Sequence, residues 1–124
     1  MAGGAIVLFA HGARDPEWAQ PFRKIKRALE EKRPNVVIEL AFLELMTPTL
    51  AEAVGKLARA GHPLITIAPL FMAQGGHLKN DLPNILAAMR AEHTRTKITL
   101  LPAIGDVDAI LDAIAEWLVG ATAR

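Results

Sequence analysis

The sequence predicts a single α/β domain over residues 1–124. Its three layers are a four-stranded parallel sheet of strand order 2-1-3-4 and helices on both faces of that sheet. Four short apolar runs alternate with four stretches whose apolar residues recur every three to four positions, and such alternation is typical of parallel sheets with helical crossovers. Apolar residues make up 52% of the chain and charged residues 22%, the composition of a globular protein. A length of 124 residues fits one domain.

Each apolar run predicts a strand, because it is shorter than a typical helix and rich in Val, Ile, Leu or Phe. The first and third runs are the most continuously apolar, as expected of strands covered on both faces. The second run contains Glu39 and the fourth contains Lys97 and Thr99, which suits the edges of a sheet. The order 2-1-3-4 satisfies both conditions and resembles the flavodoxin-like arrangement. The predicted strands cover residues 5–10, 36–43, 64–68 and 97–101.

The intervening stretches predict four helices, because their apolar residues fall on one side of a 3.6-residue period. The last of these stripes is the clearest. Pro21 and Pro83 are expected near the starts of the first and third helices, since proline is tolerated in a first turn. The stripes are formed by Trp18, Phe22, Ile25 and Leu29; by Leu50, Val54 and Leu57; by Ile85, Leu86 and Met89; and by Val107, Ile110, Leu111, Ile114, Trp117 and Leu118.

Capping residues predict the ends of two helices. Thr47, followed by a proline, is expected to cap the second helix, and Gly61 is expected to end it. Asp106 and Gly120 are expected to do the same for the fourth helix.

Composition excludes several classes of function. The chain has no cysteine, so disulfides, thiolate zinc sites, iron–sulfur clusters and cysteine nucleophiles are excluded. Lys and Arg total 14 and Asp and Glu total 13, a net charge of +1, which does not favour non-specific binding to nucleic acid or membrane. No apolar run approaches the roughly 20 residues of a membrane span. We therefore expect a soluble cytoplasmic protein with no nucleic-acid or membrane partner.

Polar side chains follow three of the predicted strands. His11 comes directly after the first strand, Glu44 after the second and His77 in the loop after the third. In the order 2-1-3 these loops are neighbours at the carboxyl edge of the sheet, where open parallel sheets bind ligands. We therefore expect the three side chains to converge.

Two imidazoles and a carboxylate that leave open coordination positions suit a divalent transition metal such as Co, Fe, Ni or Zn. The same groups accept protons near neutral pH. The competing interpretation is that the two histidines are structural residues, each hydrogen-bonded within its own loop. That interpretation explains a single histidine well, but it explains two histidines and a glutamate at adjacent strand ends less well. His62 and His93 are predicted elsewhere, in a turn at the opposite edge and at the end of the third helix.

Three segments resemble the short CbiX-type sirohydrochlorin chelatases, which are class II chelatases of cobalamin and sirohaem biosynthesis. The resemblance spans residues 5–118 and implies the ATP-independent insertion of a divalent metal, typically Co²⁺, into the polycarboxylate tetrapyrrole sirohydrochlorin. It implies no permanently bound cofactor, because the metal is itself a substrate. The segments are IVLFAHGARDP, AFLELMTPTL and APLFMAQGGHLKNDLP.

By this resemblance His11 and His77 are the catalytic and metal-binding residues, and Glu44 is the acidic residue that assists them. The neutral imidazoles would hold the ion on one face of the ring and accept pyrrole protons as the metal transfers. Metal ligands must be deprotonated, so activity should fall on acidification. The chain departs from many relatives at Ala13, where they have Ser, and at Gly76 or Leu78, where they often have a second His.

Seven further residues are expected to bind the tetrapyrrole. Three apolar side chains would face the ring, two glycines would let it approach the main chain, and two basic side chains would meet its carboxylates. They are Leu70, Phe71 and Met72; Gly75 and Gly76; and Arg14 and Lys79. A flat ring needs two walls, and the longer relatives resemble two such units in one chain, so the short form implies a homodimer that uses one patch twice.

Other functions stay open on the sequence alone. The same site fits a sirohaem ferrochelatase or a nickel chelatase acting on sirohydrochlorin. A non-catalytic carrier of metal or tetrapyrrole would use the same histidines but deliver at most one metallated ring per site. A flavodoxin-like phosphate-binding domain would use the loop at Gly75 and Gly76 and would not depend on metal.

Overall fold

The structure, a computed structural model, describes residues 4–73 and 75–123, with only the backbone described at His77. Strands and helices alternate as predicted, and every strand lies within two residues of its predicted bounds. The elements are β1 (Ala5–Ala10), α1 (Gln20–Lys32), β2 (Val37–Phe42), α2 (Leu50–Arg59), β3 (Leu64–Pro69), α3 (Gly76–Glu92), β4 (Lys97–Leu100) and α4 (Asp108–Thr122).

The four strands form one parallel sheet in the order β2-β1-β3-β4, which confirms the predicted fold class. Ala5 of β1 pairs with Val37 of β2 on one side and with Ile65 of β3 on the other. β1 and β3 are therefore the interior strands. Their carboxyl ends, together with that of β2, meet at one edge, which we call the carboxyl edge.

The main core lies between one face of the sheet and helices α2 and α3. Val7, Phe9, Ile65 and Ile67 from the two interior strands are at most 1% exposed, and they pack with Val54 of α2. Burying a side chain of this size stabilises the fold by about 1.5–3 kcal/mol. The alternation of buried residues along β1 and β3 thus holds both helices against the strands that lead to the carboxyl edge.

A smaller core lies on the opposite face, beneath α1. Trp18 and Phe22 pack against Ala10 and Phe42, and the two aromatic rings lie 4.8 Å apart between centroids. α1 contacts β1 and β2, so it covers the β2 half of this face.

Helix α2 begins two residues later than predicted. Thr49, not Thr47, is the N-cap: its hydroxyl accepts a hydrogen bond from the Glu52 N–H (3.2 Å), and the Glu52 carboxylate accepts one from the Thr49 N–H (2.8 Å). This reciprocal capping box satisfies two backbone donors that would otherwise lack partners. Gly61 ends the helix at φ +91°, as predicted.

The ends of α3 and α4 also differ from the predictions. α3 begins well before Pro83, which therefore lies inside the helix. Asp106 does not cap α4, because its own N–H closes a 3-10 turn onto Ala103 and leaves Val107 as the N-cap. Gly120 does not end α4, since a helical glycine costs only about 1 kcal/mol relative to alanine. None of the helices within the described residues has the length and apolar character required to cross a membrane.

The capping box makes the stability of the chain depend on pH. Hydrogen bonding to the carboxylate, first from the Thr49 backbone N–H and then from the Thr49 side chain, lowers the pKa of Glu52 below its ordinary value of 4.5. The ionised carboxylate therefore contributes stability that is fully present above pH 4.5 and is lost as the pH falls through the lowered pKa. Glu52→Gln keeps a capping residue and removes the charge, so we expect it to lower Tm at pH 7 and to have a smaller effect at pH 3.

Thermal unfolding followed by circular dichroism at both pH values measures this difference. Glu116→Gln, which removes an exposed charge from α4 far from the cap, is the control. An equal loss of Tm at pH 7 and pH 3 in Glu52→Gln would contradict a stabilising role of the ionised Glu52 carboxylate in the capping box.

Candidate active site

The pairing of β1 with β2 continues past the ends of both strands. The Leu43 N–H donates to the Ala10 carbonyl (2.9 Å), and the Glu44 N–H donates to the His11 carbonyl (3.1 Å). His11 and Glu44 are therefore adjacent for the same reason that residues within the strands are adjacent. Backbone hydrogen bonding, and not the side chains alone, brings these two predicted residues together.

Gly12 permits this close approach. Its φ is +97°, and a Cβ at this position would lie 1.9 Å from the carbonyl oxygen of Glu44. Any other residue would have to move the chain after β1 away from the chain after β2. The backbone here requires glycine for its conformation and for its lack of a side chain.

The side chains of His11 and Glu44 form a polar pair at the carboxyl edge. His11 Nε2 lies 3.0 Å from Glu44 Oε1, and the two side chains are 56% and 55% exposed. A pair this exposed contributes little to stability, typically below about 1 kcal/mol. Its location at a strand-end cleft and its open access to solvent fit a role in binding better than a structural role.

The separation of these two atoms suits a shared metal ion. Two ligand atoms bonded to one ion at about 2.1 Å and at right angles are about 3.0 Å apart. His11 Nε2 and Glu44 Oε1 have this separation, so both atoms could ligate one ion in adjacent octahedral positions. The remaining positions would be open to water or to another ligand.

The pair lies at a cleft of about 380 Å³ between the loops that follow β1, β2 and β3. Apolar side chains and glycine backbone form most of its wall, with His11 and Glu44 supplying the polar groups. The lining residues are His11, Leu43, Glu44, Phe71, Ala73, Gly75, Gly76 and Leu78.

Phe71 supports the imidazole from within the core. Its ring is 6% exposed, and it meets the His11 ring edge to face at a centroid distance of 6.2 Å. Phe9, on β1, makes a second edge-to-face contact with Phe71 at 5.2 Å. Such aromatic contacts favour one ring orientation, so the His11 side chain is backed by a rigid wall.

His77 is the second residue of α3, and its main chain lies between Gly76 and Leu78, which both line the cleft. Its imidazole lies outside the described side chains. Within the described part of the chain, no three His, Asp or Glu side chains form a group that could hold a metal. Of the expected triad of His11, Glu44 and His77, the described side chains are those of His11 and Glu44.

The residues predicted to bind the tetrapyrrole fall into two groups. Phe71, Gly75 and Gly76 line the cleft. The other four do not line it: two basic residues are exposed, one apolar residue is half-buried and one is 55% exposed. These four are Arg14 and Lys79, Leu70, and Met72.

The structure adds Leu45, which the sequence gives no reason to single out. It follows Glu44 directly, has a φ of +65° and is 59% exposed. A leucine in the left-handed region is uncommon, and an apolar side chain held in solvent beside a polar pair is a candidate contact for a flat ligand. Leu43 and Leu78 of the cleft wall were also not predicted, because an apolar residue next to a strand or inside a helix looks like ordinary core.

The sequence is similar to a known protein family. The CbiX family model matches residues 5–120, which include all three loops of the cleft. The chain belongs to the CbiX family.

Several curated relatives carry the name sirohydrochlorin cobaltochelatase. The protein from Methanopyrus kandleri is 42% identical over 82 residues, which are 66% of this chain and 57% of the relative. The protein from Sulfolobus acidocaldarius is 33% identical over 111 residues, covering 90% of this chain and 86% of the relative. The region matched in a Methanococcus aeolicus relative of the same name is 62% of that protein, so this chain spans less than two thirds of two of these relatives.

Solved structures have the same fold. A CbiX protein from Marinobacter aquaeolei VT8 superposes with a TM-score of 0.80 at 32% identity, covering 96% of this chain and 97% of that one. The sirohydrochlorin chelatase SirB from Bacillus subtilis subspecies spizizenii, solved in complex with cobalt, has a TM-score of 0.77 at 24% identity. That match covers 95% of this chain and 50% of SirB.

Substitution of Gly12 tests the constraint that brings the pair together. We expect Gly12→Ala to lower the free energy of unfolding by more than about 2 kcal/mol, because it adds a clash with the Glu44 carbonyl to the 1–2 kcal/mol cost of a left-handed alanine. Chemical denaturation measures the loss.

Gly61→Ala is the matched control. Gly61 also has a positive φ, but a Cβ there would have no atom within 4 Å, so only the cost of the backbone conformation applies. Equal losses in the two variants would contradict the close approach at Gly12.

Proposed function

We propose that the chain inserts a divalent metal, Co²⁺, into sirohydrochlorin without ATP. The observation that carries this proposal is the His11–Glu44 pair at the mouth of an open cleft in a CbiX-family chain. The names of the curated relatives support both the substrate and the metal. Fe²⁺ and Ni²⁺ also accept imidazole and carboxylate ligands. Experiment must therefore determine with which of the three metals turnover is fastest.

The metal is a substrate in this proposal, and the protein contributes ligands that hold it briefly. His11 Nε2 and Glu44 Oε1, 3.0 Å apart, would bind the ion in adjacent positions, and His77 would add a second imidazole from the start of α3. Both described side chains are more than half exposed. A tetrapyrrole can therefore reach the ion from the solvent side while the protein holds it from the other.

Metal insertion releases two pyrrole protons, and the same residues can take them. As the ion exchanges its protein ligands for ring nitrogens, the imidazole nitrogen and the carboxylate oxygen become free to accept protons. A protonated His11 then has the Glu44 carboxylate at hydrogen-bond distance. Each metal–ligand bond lost by the protein is thus replaced by a bond to a proton.

The surroundings of the pair suit a flat ring with acidic substituents. The exposed apolar side chains of Leu45 and Met72 would contact the ring face, beside the cleft wall formed by Phe71. Arg14 and Lys79 are exposed near the cleft and would pair with carboxylates of the ring.

The proposed enzyme is a homodimer in the cytoplasm. One chain presents a cleft that opens to one side, and a second copy would supply the other wall for a flat ring, as the resemblance to longer two-unit relatives implies. A location in the cytoplasm fits a chelatase of tetrapyrrole biosynthesis.

Anaerobic turnover of sirohydrochlorin tests the function. The absorbance change with Co²⁺, Fe²⁺ or Ni²⁺ should give many turnovers per site, with Co²⁺ fastest. We expect His11→Ala to lower kcat/KM by at least about 100-fold and Glu44→Gln by roughly 10–100-fold. His62→Ala, at the amino end of β3, is the control and should keep full activity. One metallated ring per site at most would favour a carrier and contradict the proposal.

The two basic residues have a separate test. Removing a carboxylate partner should weaken substrate binding more than it slows chemistry, so we expect Arg14→Ala and Lys79→Ala each to raise KM severalfold with little change in kcat. Lys24→Ala, on α1 outside the cleft, is the control. If the KM and kcat of both variants equal those of the unsubstituted chain, these two residues do not bind the substrate.

A further inference from the structure

Two side-chain contacts orient the His11 imidazole, and a bound metal ion would replace one of them. His11 Nε2 lies 3.0 Å from Glu44 Oε1, and the His11 ring meets the Phe71 ring at a centroid distance of 6.2 Å and an interplanar angle of 83°. An ion bound by both His11 and Glu44 takes the place of their direct hydrogen bond, because the same two atoms would ligate it. The contact between the two rings does not involve Nε2 and stays in place.

The imidazole needs this remaining contact. The His11 side chain is 56% exposed, and exposed side chains exchange between rotamers within nanoseconds. An edge-to-face contact between rings favours one arrangement. If the imidazole turned away, Nε2 would leave the position near the Glu44 oxygen that suits a shared ion. The ability of His11 to hold a metal therefore depends on where Phe71 lies.

Main-chain hydrogen bonds hold Phe71 from two sides. On the side of β1, the Leu70 N–H donates to the Phe9 carbonyl (2.8 Å). On the side of β4, the Phe71 carbonyl accepts a hydrogen bond from the Gly105 N–H (3.1 Å). The Phe71 ring is 6% exposed and packs edge to face on Phe9 at 5.2 Å. Both the backbone and the ring of Phe71 are therefore fixed by neighbouring segments.

Gly105 lies in the short 3-10 helix Ile104–Asp106, which is anchored in the main core by Ala103 at 2% exposure. A Cβ at Gly105 would overlap the carbonyl oxygen of Met72, the residue that follows Phe71. Glycine is required here for space. Any other residue would push this 3-10 helix and the loop after β3 apart.

We propose that Gly105 and Phe71 are positioning residues for His11. Gly105 holds the main chain of Phe71, and the Phe71 ring holds the imidazole with Nε2 towards Glu44 while the ion is bound. This inference rests on the proposed function, because it assigns a task to two residues of the same site. The sequence predicts Phe71 as a contact for the tetrapyrrole, but its low exposure leaves little ring surface for a substrate.

NMR of the metal-free chain tests the ring contact directly. The ring protons of His11, assigned by their loss in His11→Ala, should show nuclear Overhauser effects to the ring protons of Phe71. Gly105→Ala should remove these effects, because the added Cβ displaces the loop that carries Phe71. Circular dichroism establishes that each variant is folded.

Titration with Co²⁺, followed by visible absorption, measures the consequence for metal binding. Phe71→Leu should raise the Co²⁺ Kd about two- to tenfold, the fold-change that corresponds to one aromatic contact. Gly105→Ala should raise it by a similar factor. Leu86→Ala and Gly61→Ala are the controls. Leu86 lies in the same core at 6% exposure, and a Cβ at Gly61 would meet no atom within 4 Å, so both variants should lose stability and keep the parent Kd.

Kinetics separate positioning from substrate contact. At saturating Co²⁺, Phe71→Leu and Gly105→Ala should lower kcat about tenfold and leave the KM for sirohydrochlorin little changed, because a misplaced ligand slows the reaction itself. A raised KM with unchanged kcat in Phe71→Leu would mean that Phe71 binds the substrate and would overturn the proposal.

Two other results would also overturn it. One is that Gly105→Ala keeps both the nuclear Overhauser effects and the parent Kd. The other is that Leu86→Ala weakens Co²⁺ binding as much as Phe71→Leu does, which would mean that any loosening of the core has this effect. A parent chain that binds Co²⁺ without turnover would contradict the proposed function alone, because the NMR and the titration need no tetrapyrrole.

Discussion

The candidate site depends on one constraint, the extension of the β1–β2 pairing beyond the ends of the strands. Two backbone hydrogen bonds, from Leu43 to Ala10 and from Glu44 to His11, keep the two loops in register. Gly12 allows them to touch, because its missing Cβ leaves room for the Glu44 carbonyl. The 3.0 Å separation of the imidazole and carboxylate follows from this backbone arrangement. A polar pair exposed to solvent could not hold such a geometry by its own attraction.

The loop after β3 completes the cleft and links it to the rest of the molecule. Phe71 packs on Phe9 in the core and on the edge of the His11 ring, so the main core and the site share a side chain. The same residue accepts a hydrogen bond from Gly105 in the 3-10 helix Ile104–Asp106. The carboxyl edge, the core and the 3-10 helix that leads into α4 are therefore in direct contact.

The sequence predicted the sheet order and the proximity of His11 and Glu44. The apolar content of the strands indicates their order, and that order places the loops after the first two strands side by side at one edge of the sheet. It did not predict the α2 cap. Thr47 and Thr49 both precede the helix, and only the reciprocal bond to Glu52 distinguishes them. The left-handed backbone of Leu45 has no local signal, because leucine has no intrinsic preference for this conformation. The apolar stripe of α4 predicts the helix correctly, but α4 buries no residue, because a periodicity does not specify which surface covers a helix.

A crystal structure of the protein soaked anaerobically with Co²⁺ tests the central claim most directly. The account predicts one ion at about 2.1 Å from both His11 Nε2 and Glu44 Oε1, with the loop backbone unmoved and the remaining ligand positions facing the cleft. Anomalous scattering at the cobalt edge would identify the ion. An ion bound away from this pair, with the 3.0 Å hydrogen bond between His11 and Glu44 still in place, would contradict the account.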